Sequence, residues 1–448
     1  MIDSEEHIFC RGPARNVAAA VFTKLSQSIT KGGAMTENRV EREAFIELLR
    51  GLVRCKSPYF HEEEAMAFTL DWLKKNDLPG RLYEYYEAKE TQFHGQNVVG
   101  VLDSGRPGPV IYLGGHLDTV NLCEGWTYPP YEGVVEGDYL YGVGALDMKA
   151  GDAAILLALK RFAEKHRLTA SLGADAPDNG FTGKIIYQFV SDEEGPFGLG
   201  TFALIRDNVD GVRDGADFAI ICEPSAGFTG APHPCICPGA KGGYNFTIRL
   251  KGRSSHAATP HLGINALTDA GAVMVELEKL EPVVDPKLGP SALCVINLTT
   301  DGNACSVPDH AAVEVFYHSV RGETVPSIKA RVEEAVARAN VRSETEVVFR
   351  GALAEGFDGG FMPYCTDEED PHIRVLTDSI RDVCGCEPNY SYFQSIGDFN
   401  HIGGLLAIPT VLLGADGDRF HGADERVNLK SACEISDIVY DFLERIYY

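Results

Sequence analysis

His116 and Asp118 stand two residues apart, directly after an apolar run and two glycines. The run, residues 109–113, predicts a buried parallel strand that the glycines end. If strand geometry persists to Leu117, the two side chains point to the same side of the chain. The imidazole can then bind a metal ion while the carboxylate holds its other N–H. A polar loop is the alternative interpretation of this pair alone.

Further side chains that could bind a metal follow other predicted strands and turns. Open α/β sheets build their sites beyond the carboxyl ends of their strands. Each residue alone could be a solvated charge, a helix N-cap or a surface histidine. Two imidazoles with several carboxylates suit a borderline divalent metal such as zinc. The set is His116, Asp118, Asp147, Glu193, Glu194, Glu223 and His421.

Such a set could hydrolyse an amide bond. Hydrolysis at neutral pH needs a nucleophile, which a metal-activated water provides, and a clamp for the oxyanion. It also needs a carboxylate that moves a proton without being tied up as a ligand. The adjacent Glu193 and Glu194 could divide these two tasks. If both continue the strand at 184–190, they face opposite ways and have different roles.

Composition excludes several other classes of protein. The chain has 448 residues, 44% hydrophobic and 23% charged, which suggests two or three globular domains. A net charge of −25 argues against nucleic acid and against an anionic membrane surface as partners. No apolar run of about twenty residues could span a bilayer. We interpret the 12 cysteines as reduced thiols in the cytoplasm, not as a disulfide framework.

An α/β pattern, interrupted once, must position these residues. Residues 243–350 predict the order βαββαβ, a ferredoxin-like unit that is complete in itself. We therefore expect residues 35–242 and 351–448 to form one catalytic domain around an inserted second domain. Residues 1–34 are interpreted as an N-terminal extension, and residues 168–183 as a surface loop. Outside the insertion, helices are predicted near 40–54, 61–75, 149–166, 371–383 and 429–446.

In combination, these motifs resemble the zinc-dependent metallopeptidase family 20. The family includes acetylornithine deacetylase, succinyl-diaminopimelate desuccinylase, aminoacylase and carboxypeptidase G. The resemblance extends from about Met35 to the end of the chain, and Asp147-Met148-Lys149 favours the deacetylase/desuccinylase branch. It implies an α/β, mixed-sheet, zinc-peptidase-like catalytic domain with an inserted ferredoxin-like lid or dimerisation domain. The matching motifs are 115–120, 142–149, 192–195, 223–225, 252–257 and 421–425.

The resemblance also implies two divalent metal ions, most simply zinc, with cobalt or manganese as alternatives. His116 and Glu223 would hold one ion. Glu194 and His421 would hold the other, and Asp147 would bridge the two.

Proton transfer and oxyanion binding are assigned by the same resemblance. Glu193 would be the general base that deprotonates the water between the metals and passes the proton to the leaving amine. Asp118 would orient His116. His256 would reach the active site from the lid of a partner subunit and help to bind the oxyanion, so the resemblance implies a homodimer. Asn303 matches a lid asparagine that touches substrate.

The sequence departs from the family at two arginines that grip a substrate carboxylate. Alignment on Pro308 places His318 at the first position, with Arg321 nearby in a different register. Asn400 occupies the second. Losing bidentate binding at both positions is not a conservative change. The usual carboxylate geometry is therefore not predicted, and Arg321, Arg419 and Lys241 are the cations that could substitute.

The leading hypothesis is a two-metal amidohydrolase acting on an N-acyl amino acid or a similar small amide. A dipeptidase or aminopeptidase with the same machinery, recognising an amine end of a short peptide, is the alternative. A metal-binding relative without turnover is a third hypothesis, since a fold does not guarantee catalysis.

Overall fold

The computed structural model describes residues 39–168, 180–195, 197–353, 357 and 359–448. The predicted extension, residues 1–34, and most of the predicted loop at 168–183 lie outside the described residues.

A six-stranded mixed sheet positions the candidate site. Strand Val110–His116 lies between Lys184–Val190 and Phe218–Ile221 and runs parallel to both. The carboxyl ends of these three strands therefore meet at one edge, where His116, the Glu193-Glu194 pair and Glu223 follow. In spatial order the strands are Arg81–Tyr86, His94–Asp103, Lys184–Val190, Val110–His116, Phe218–Ile221 and Thr410–Leu412.

Amphipathic helices bury the largest hydrophobic core against this sheet. Helix Ala150–His166 packs on the last helix, Leu429–Tyr447, and its Phe162 is fully buried. Each such buried apolar side chain contributes about 1.5–3 kcal/mol to stability. The other helices of this part are Arg42–Arg54, Glu63–Lys75, Leu199–Arg206, Ser225–Thr229 and Pro371–Cys384.

A separate four-stranded antiparallel sheet has its own core. Its strands lie in the order Ala292–Thr300, His310–Ser319, Gly242–Lys251, Glu344–Phe349. Helices Ala266–Leu277 and Val325–Arg338 contribute buried residues to the same core. The alternation of Tyr244, Phe246, Ile248 and Leu250 places one face of the strand in that core. This confirms the predicted ferredoxin-like βαββαβ unit inserted into an α/β fold.

A third sheet of very short strands was not predicted from the sequence. Strands Arg426–Asn428 and Tyr139–Tyr141 pair antiparallel at its centre, flanked by Gly417–Asp418 and Val134–Glu136. It joins the segment after His421 to the segment before Asp147, and the Gly142 N–H donates to the Glu425 carbonyl at 3.0 Å. These strands of two or three residues are too short for a periodic pattern.

The remaining elements are short. Two-residue strands pair Cys235–Ile236 with Asn389–Tyr390, Gly239–Ala240 with Tyr364–Cys365, and Val284–Asp285 with Gly289–Pro290. Single helical turns lie at Ala145–Lys149, Val209–Asp214, Pro260–Leu262 and His401–Leu405. In the ranges given above, none of the helices combines the length and apolar character that crossing a bilayer requires. The described cysteines are free thiols.

Candidate metal centre

Asp147 lies between the two histidines of the predicted set. Its Oδ1 is 3.3 Å from His116 Nε2, and its Oδ2 is 3.3 Å from His421 Nε2. The two oxygens of one carboxylate therefore face two imidazoles that are more than 300 residues apart in the chain. This is the geometry of a carboxylate placed to bridge two cations.

Each histidine has a second carboxylate beside it. Glu223 Oε1 is 3.4 Å from His116 Nε2, and Glu194 Oε1 is 2.8 Å from His421 Nε2. Glu193 Oε2 lies farther out, 3.8 Å from His116 Nε2. The structure thus brings together all five residues that the resemblance implies as metal ligands, with Glu193 next to them.

The donor set fits a pair of divalent cations. Nitrogen and oxygen ligands at about 2.0–2.1 Å from a tetrahedral zinc lie about 3.3 Å apart, which matches three of the four imidazole–carboxylate separations. His116 Nε2 is buried and makes no hydrogen bond among the described residues. A buried imidazole nitrogen that faces several carboxylates is satisfied by a cation that all of them bind.

The electrostatics of the cluster show a shortage of positive charge. Burial and the neighbouring Asp147 raise the pKa of Glu223 to about 8. Burial also raises the pKa of both Glu193 and Glu194. Hydrogen bonds to Asp147 and Glu194 raise the pKa of His421 to about 11. Carboxylates that lie close together favour the protonated form, and divalent cations can take the place of those protons.

The carboxylate of Asp118 holds the Glu193-Glu194 loop. Its two oxygens accept the backbone N–H groups of Glu193 at 3.1 Å and Glu194 at 2.8 Å. His116 Nδ1 contacts the backbone carbonyl of Asp118 at 3.1 Å, while the nearest carboxylate oxygen is 3.6 Å away. Asp118 therefore contacts His116 through its main chain and the two glutamates through its side chain.

The structure corrects the extent of the first strand and the assumed continuation of the second. The strand predicted at 109–113 runs on through both glycines without reaching Leu117, and the strand at 184–190 does not continue to Glu193 and Glu194. One strand ends at His116 and the other at Val190. Period-two alternation therefore does not decide where Asp118, Glu193 and Glu194 point. The hydrogen bonds to the Asp118 carboxylate orient the glutamate loop instead.

Glu425 holds the turn that carries Asp147, and no separate role was predicted for it from the sequence. Its Oε1 accepts the N–H groups of Leu146 at 2.8 Å and Asp147 at 3.0 Å, and its Oε2 accepts the Gly144 N–H at 2.9 Å. The side chain is buried. Its position in the same motif as His421 could have indicated this role, because a buried carboxylate beside a metal ligand needs hydrogen-bond donors.

Asp398 was also missed, and it positions Glu193. Its backbone N–H donates to Glu193 Oε1 at 3.2 Å, and its side chain accepts from Thr201 Oγ1 at 2.5 Å. A Cβ at the preceding Gly397 would lie 2.6 Å from Glu193 Oε1. Glycine is therefore required for this close approach.

The predicted substrate and lid residues lie in different settings. His256 and Asn303 are exposed on the inserted unit. Among the described residues, neither His256 nor Asn303 has a hydrogen bond or an ion pair to the metal cluster. His256 Nδ1 accepts the N–H of Ala258 at 3.1 Å, which leaves Nε2 as the donor. His318 is half-buried, and burial together with the charge of Lys241 lowers its pKa.

Of the cations named from the sequence, two are held by acidic side chains. Arg321 forms a bidentate pair with Asp285 at 2.8 and 3.1 Å. Arg419 lies 3.5 Å from Asp424. Lys241 is buried, its pKa is lowered by burial alone, and no carboxylate of the described residues pairs with it.

Asn400, at the position of the second family arginine, is fully buried. Its Nδ2 donates to the carbonyls of Lys241 at 2.9 Å and Met362 at 2.8 Å, and its Oδ1 accepts the Gly397 N–H at 3.0 Å. It fixes these segments and leaves no polar atom of its side chain for substrate.

Comparison with known proteins identifies relatives of the whole arrangement. A family model for peptidase family M20/M25/M40 matches residues 112–445. A succinyl-diaminopimelate desuccinylase of Pseudoalteromonas atlantica is 28% identical over 351 residues, 76% of this chain and 85% of that protein. The Shewanella pealeana desuccinylase is 35% identical over 216 residues, 48% of this chain and 53% of that protein.

Solved structures with the same fold include peptidases. A Staphylococcus aureus tripeptidase superposes with a TM-score of 0.70 at 20% identity, covering 91% of this chain and 99% of that one. A Bacillus subtilis dinuclear metal-binding peptidase superposes with a TM-score of 0.64 at 14% identity, covering 91% of this chain and 98% of that one.

The contacts of Glu425 generate the first prediction. In Glu425→Gln an amide NH₂ replaces one acceptor oxygen, so one or more buried N–H groups near Asp147 lose their partner. We expect metal affinity to fall about 10–100-fold, measured by competition with a chromophoric chelator, while circular dichroism stays unchanged. Glu346→Gln, on an exposed strand of the second sheet, is the control. Unchanged metal affinity in Glu425→Gln would contradict the assignment.

Proposed function

The chain belongs to peptidase family M20/M25/M40 and is a metallohydrolase of amide or peptide bonds, and we propose that it deacylates N-acyl amino acids or similar small amides. The observation that carries the proposal is Glu193, a buried carboxylate 3.8 Å from His116 Nε2 beside a complete ligand set. A protein that only stored metal would have no need for this additional acid. The desuccinylase relatives support an acyl group on the substrate.

In the proposed reaction, two divalent cations, most simply zinc, would lower the pKa of a water molecule and polarise the scissile carbonyl. His116, Glu223, Asp147, Glu194 and His421 would hold them. Cobalt or manganese could bind the same nitrogen and oxygen donors.

Glu193 would accept the proton of the attacking water and deliver it to the leaving amine. The backbone N–H of Asp398 fixes the other oxygen of Glu193 at 3.2 Å. The rigid Glu193-Glu194 loop, bound by Asp118, keeps the base at a constant distance from the ligands. A fixed base lowers the entropy lost at the transition state.

Lys241 is the cation we propose for the substrate carboxylate. It lies beside His318. Its main-chain carbonyl accepts a hydrogen bond from Asn400, and Gly397, three residues before Asn400, packs against the proposed base Glu193. Arg321 and Arg419 are already held by aspartates. A buried lysine without a carboxylate partner binds an anion more strongly than an exposed one does.

We further propose that the protein is a homodimer through the inserted unit. Helix Ala266–Leu277 exposes Val275 with 57% of its surface accessible, and Ile296 on strand Ala292–Thr300 is 55% exposed. Among the described residues this strand pairs with His310–Ser319 alone, which makes it an edge strand. An unpaired edge with apolar side chains favours pairing with a second copy. His256, exposed and without a bond to its own metal cluster, would act in the partner's site.

The substrate panel is the decisive test of the proposed activity. Metal-loaded protein should cleave N-acetyl or N-succinyl amino acids at least tenfold faster, by kcat/KM, than free dipeptides and tripeptides, as measured by release of the primary amine. Glu193→Gln should retain bound metal and lose about 10²–10⁴ in kcat. Faster cleavage of free peptides would instead identify a peptidase, and no cleavage of any amide would leave only metal binding.

The proposed role of Lys241 predicts a selective loss of binding. Lys241→Met should lower kcat/KM about 10–100-fold, mainly through KM, because a charge-assisted hydrogen bond to the carboxylate is removed. The effect should disappear with a substrate whose carboxylate is converted to an amide. Arg321→Gln serves as the control, since its guanidinium binds Asp285. Equal losses on both substrates would contradict the assignment.

Action of His256 in the partner subunit predicts complementation. His256→Ala and Glu193→Gln should each be nearly inactive alone. Mixed dimers should contain one complete site, so co-expression should restore about a quarter of the wild-type activity when half of the dimers are mixed. Val275→Glu should shift the mass in light scattering from dimer to monomer. Restoration that persists in monomeric protein, or no restoration from a verified mixed dimer, would contradict action in the partner's site.

A further inference from the structure

A second group of metal-ligand side chains lies outside the candidate metal centre. His233 is in the loop after helix Ser225–Thr229, Cys384 is the last residue of helix Pro371–Cys384, and Glu434 is in helix Leu429–Tyr447. A nitrogen, a sulfur and an oxygen from these three residues all lie within 4.8 Å of one another. None of the three takes part in the proposed hydrolysis. We call them the His–Cys–Glu cluster.

The distance between His233 and Glu434 is that of two ligands on one ion. His233 Nε2 and Glu434 Oε2 are 3.2 Å apart. Nitrogen and oxygen ligands of a tetrahedral zinc lie about 3.3 Å apart, as calculated from their bond lengths. Three imidazole–carboxylate pairs of the candidate metal centre have nearly the same separation, 3.3 to 3.4 Å.

The cluster is shielded and its members are held in place. The side chains of His233 and Glu434 are each only 11% exposed. His233 Nδ1 is buried and has no hydrogen-bond partner among the described residues. Asn389 fixes the loop, since its N–H donates to the Pro234 carbonyl at 2.8 Å and its Nδ2 donates to the Pro232 carbonyl at 2.9 Å.

The Oε2 atom of Glu434 contacts His233 Nε2 at 3.2 Å. Lys430 Nζ lies 3.7 Å from the other oxygen, Oε1, and the lysine side chain is 80% exposed. An exposed lysine can move into solvent, so it does not block a cation. A thiolate, an imidazole and a carboxylate together are typical ligands of zinc.

We propose that His233, Cys384 and Glu434 bind a zinc ion that is separate from the catalytic pair. A water molecule would complete the tetrahedral coordination. On binding, the Cys384 thiol loses its proton to solvent and the sulfur forms the bond to zinc, without any oxidation or reduction. The ion links one loop to the ends of two helices, which makes it a structural site.

Cobalt provides a test that is specific for this cluster. The candidate metal centre contains only nitrogen and oxygen ligands, so a thiolate-to-cobalt charge-transfer band in the near ultraviolet reports a cysteine ligand. Chelator-treated, full-length protein titrated with Co²⁺ under reducing conditions should develop this band and bind one equivalent more than the catalytic pair. Cys384→Ser should abolish the band and the extra equivalent, while retaining the amide hydrolysis of the cobalt-loaded wild type.

Two neighbouring cysteines provide matched controls. Cys386 is exposed two residues further along, and Cys433 is half-buried next to Glu434. Cys386→Ser and Cys433→Ser should both retain the band, whereas His233→Gln should lose the extra equivalent of metal. If the wild type shows no band at saturating Co²⁺, or if the band survives Cys384→Ser, the proposal is overturned. These outcomes do not depend on which amide the enzyme cleaves.

Discussion

Buried carboxylates are stable only where donors or cations offset their charge, and this requirement organises the site. Both carboxylate oxygens of Asp118 and of Glu425 accept backbone N–H groups of the neighbouring loops. These hydrogen bonds fix the two loops that carry Glu194 and Asp147. The carboxylates of those loops then face imidazoles with too little positive charge around them. Asp118 and Glu425 therefore position the carboxylates of Glu194 and Asp147, whose negative charge metal ions would offset.

The topology brings these groups together from distant parts of the chain. Three neighbouring parallel strands place His116, Glu194 and Glu223 at one edge of the sheet. His421 lies in the part of the chain that follows the inserted unit. Because that unit has its own core, it can be inserted without altering the sheet. The third sheet then binds the segment after His421 to the segment before Asp147. Its few main-chain bonds close the second half of the site, and Leu140 and Val427 anchor its two central strands in the main core.

The sequence predicted those features that repeat or cluster along the chain. Long amphipathic helices and alternating strands have a clear period, so the helices and the ferredoxin-like unit could be located. The candidate residues were located because they follow predicted strands and turns, and the resemblance to the family assigned five of them as ligands. The roles of Asp398 and Glu425 depend on partners far away in the sequence. Asp398 donates its backbone N–H to the Glu193 carboxylate, and the Glu425 carboxylate accepts the backbone N–H of Asp147. The strand predicted at 184–190 ends at Val190 as expected, whereas the strand predicted at 109–113 continues to His116 because Gly114 and Gly115 both pair with that neighbouring strand.

Replacing an arginine by a lysine and a histidine changes how a carboxylate can be bound. A guanidinium fixes both oxygens in one plane, whereas the Lys241 ammonium is a point charge on a flexible stem. Burial and the nearby lysine lower the pKa of His318, so its imidazole is neutral near pH 7 and can donate one hydrogen bond. The charge of Lys241 and the directional hydrogen bond of His318 would together replace the bidentate contact of an arginine. In the proposed deacylase, such a site would hold the substrate carboxylate less rigidly than a guanidinium does.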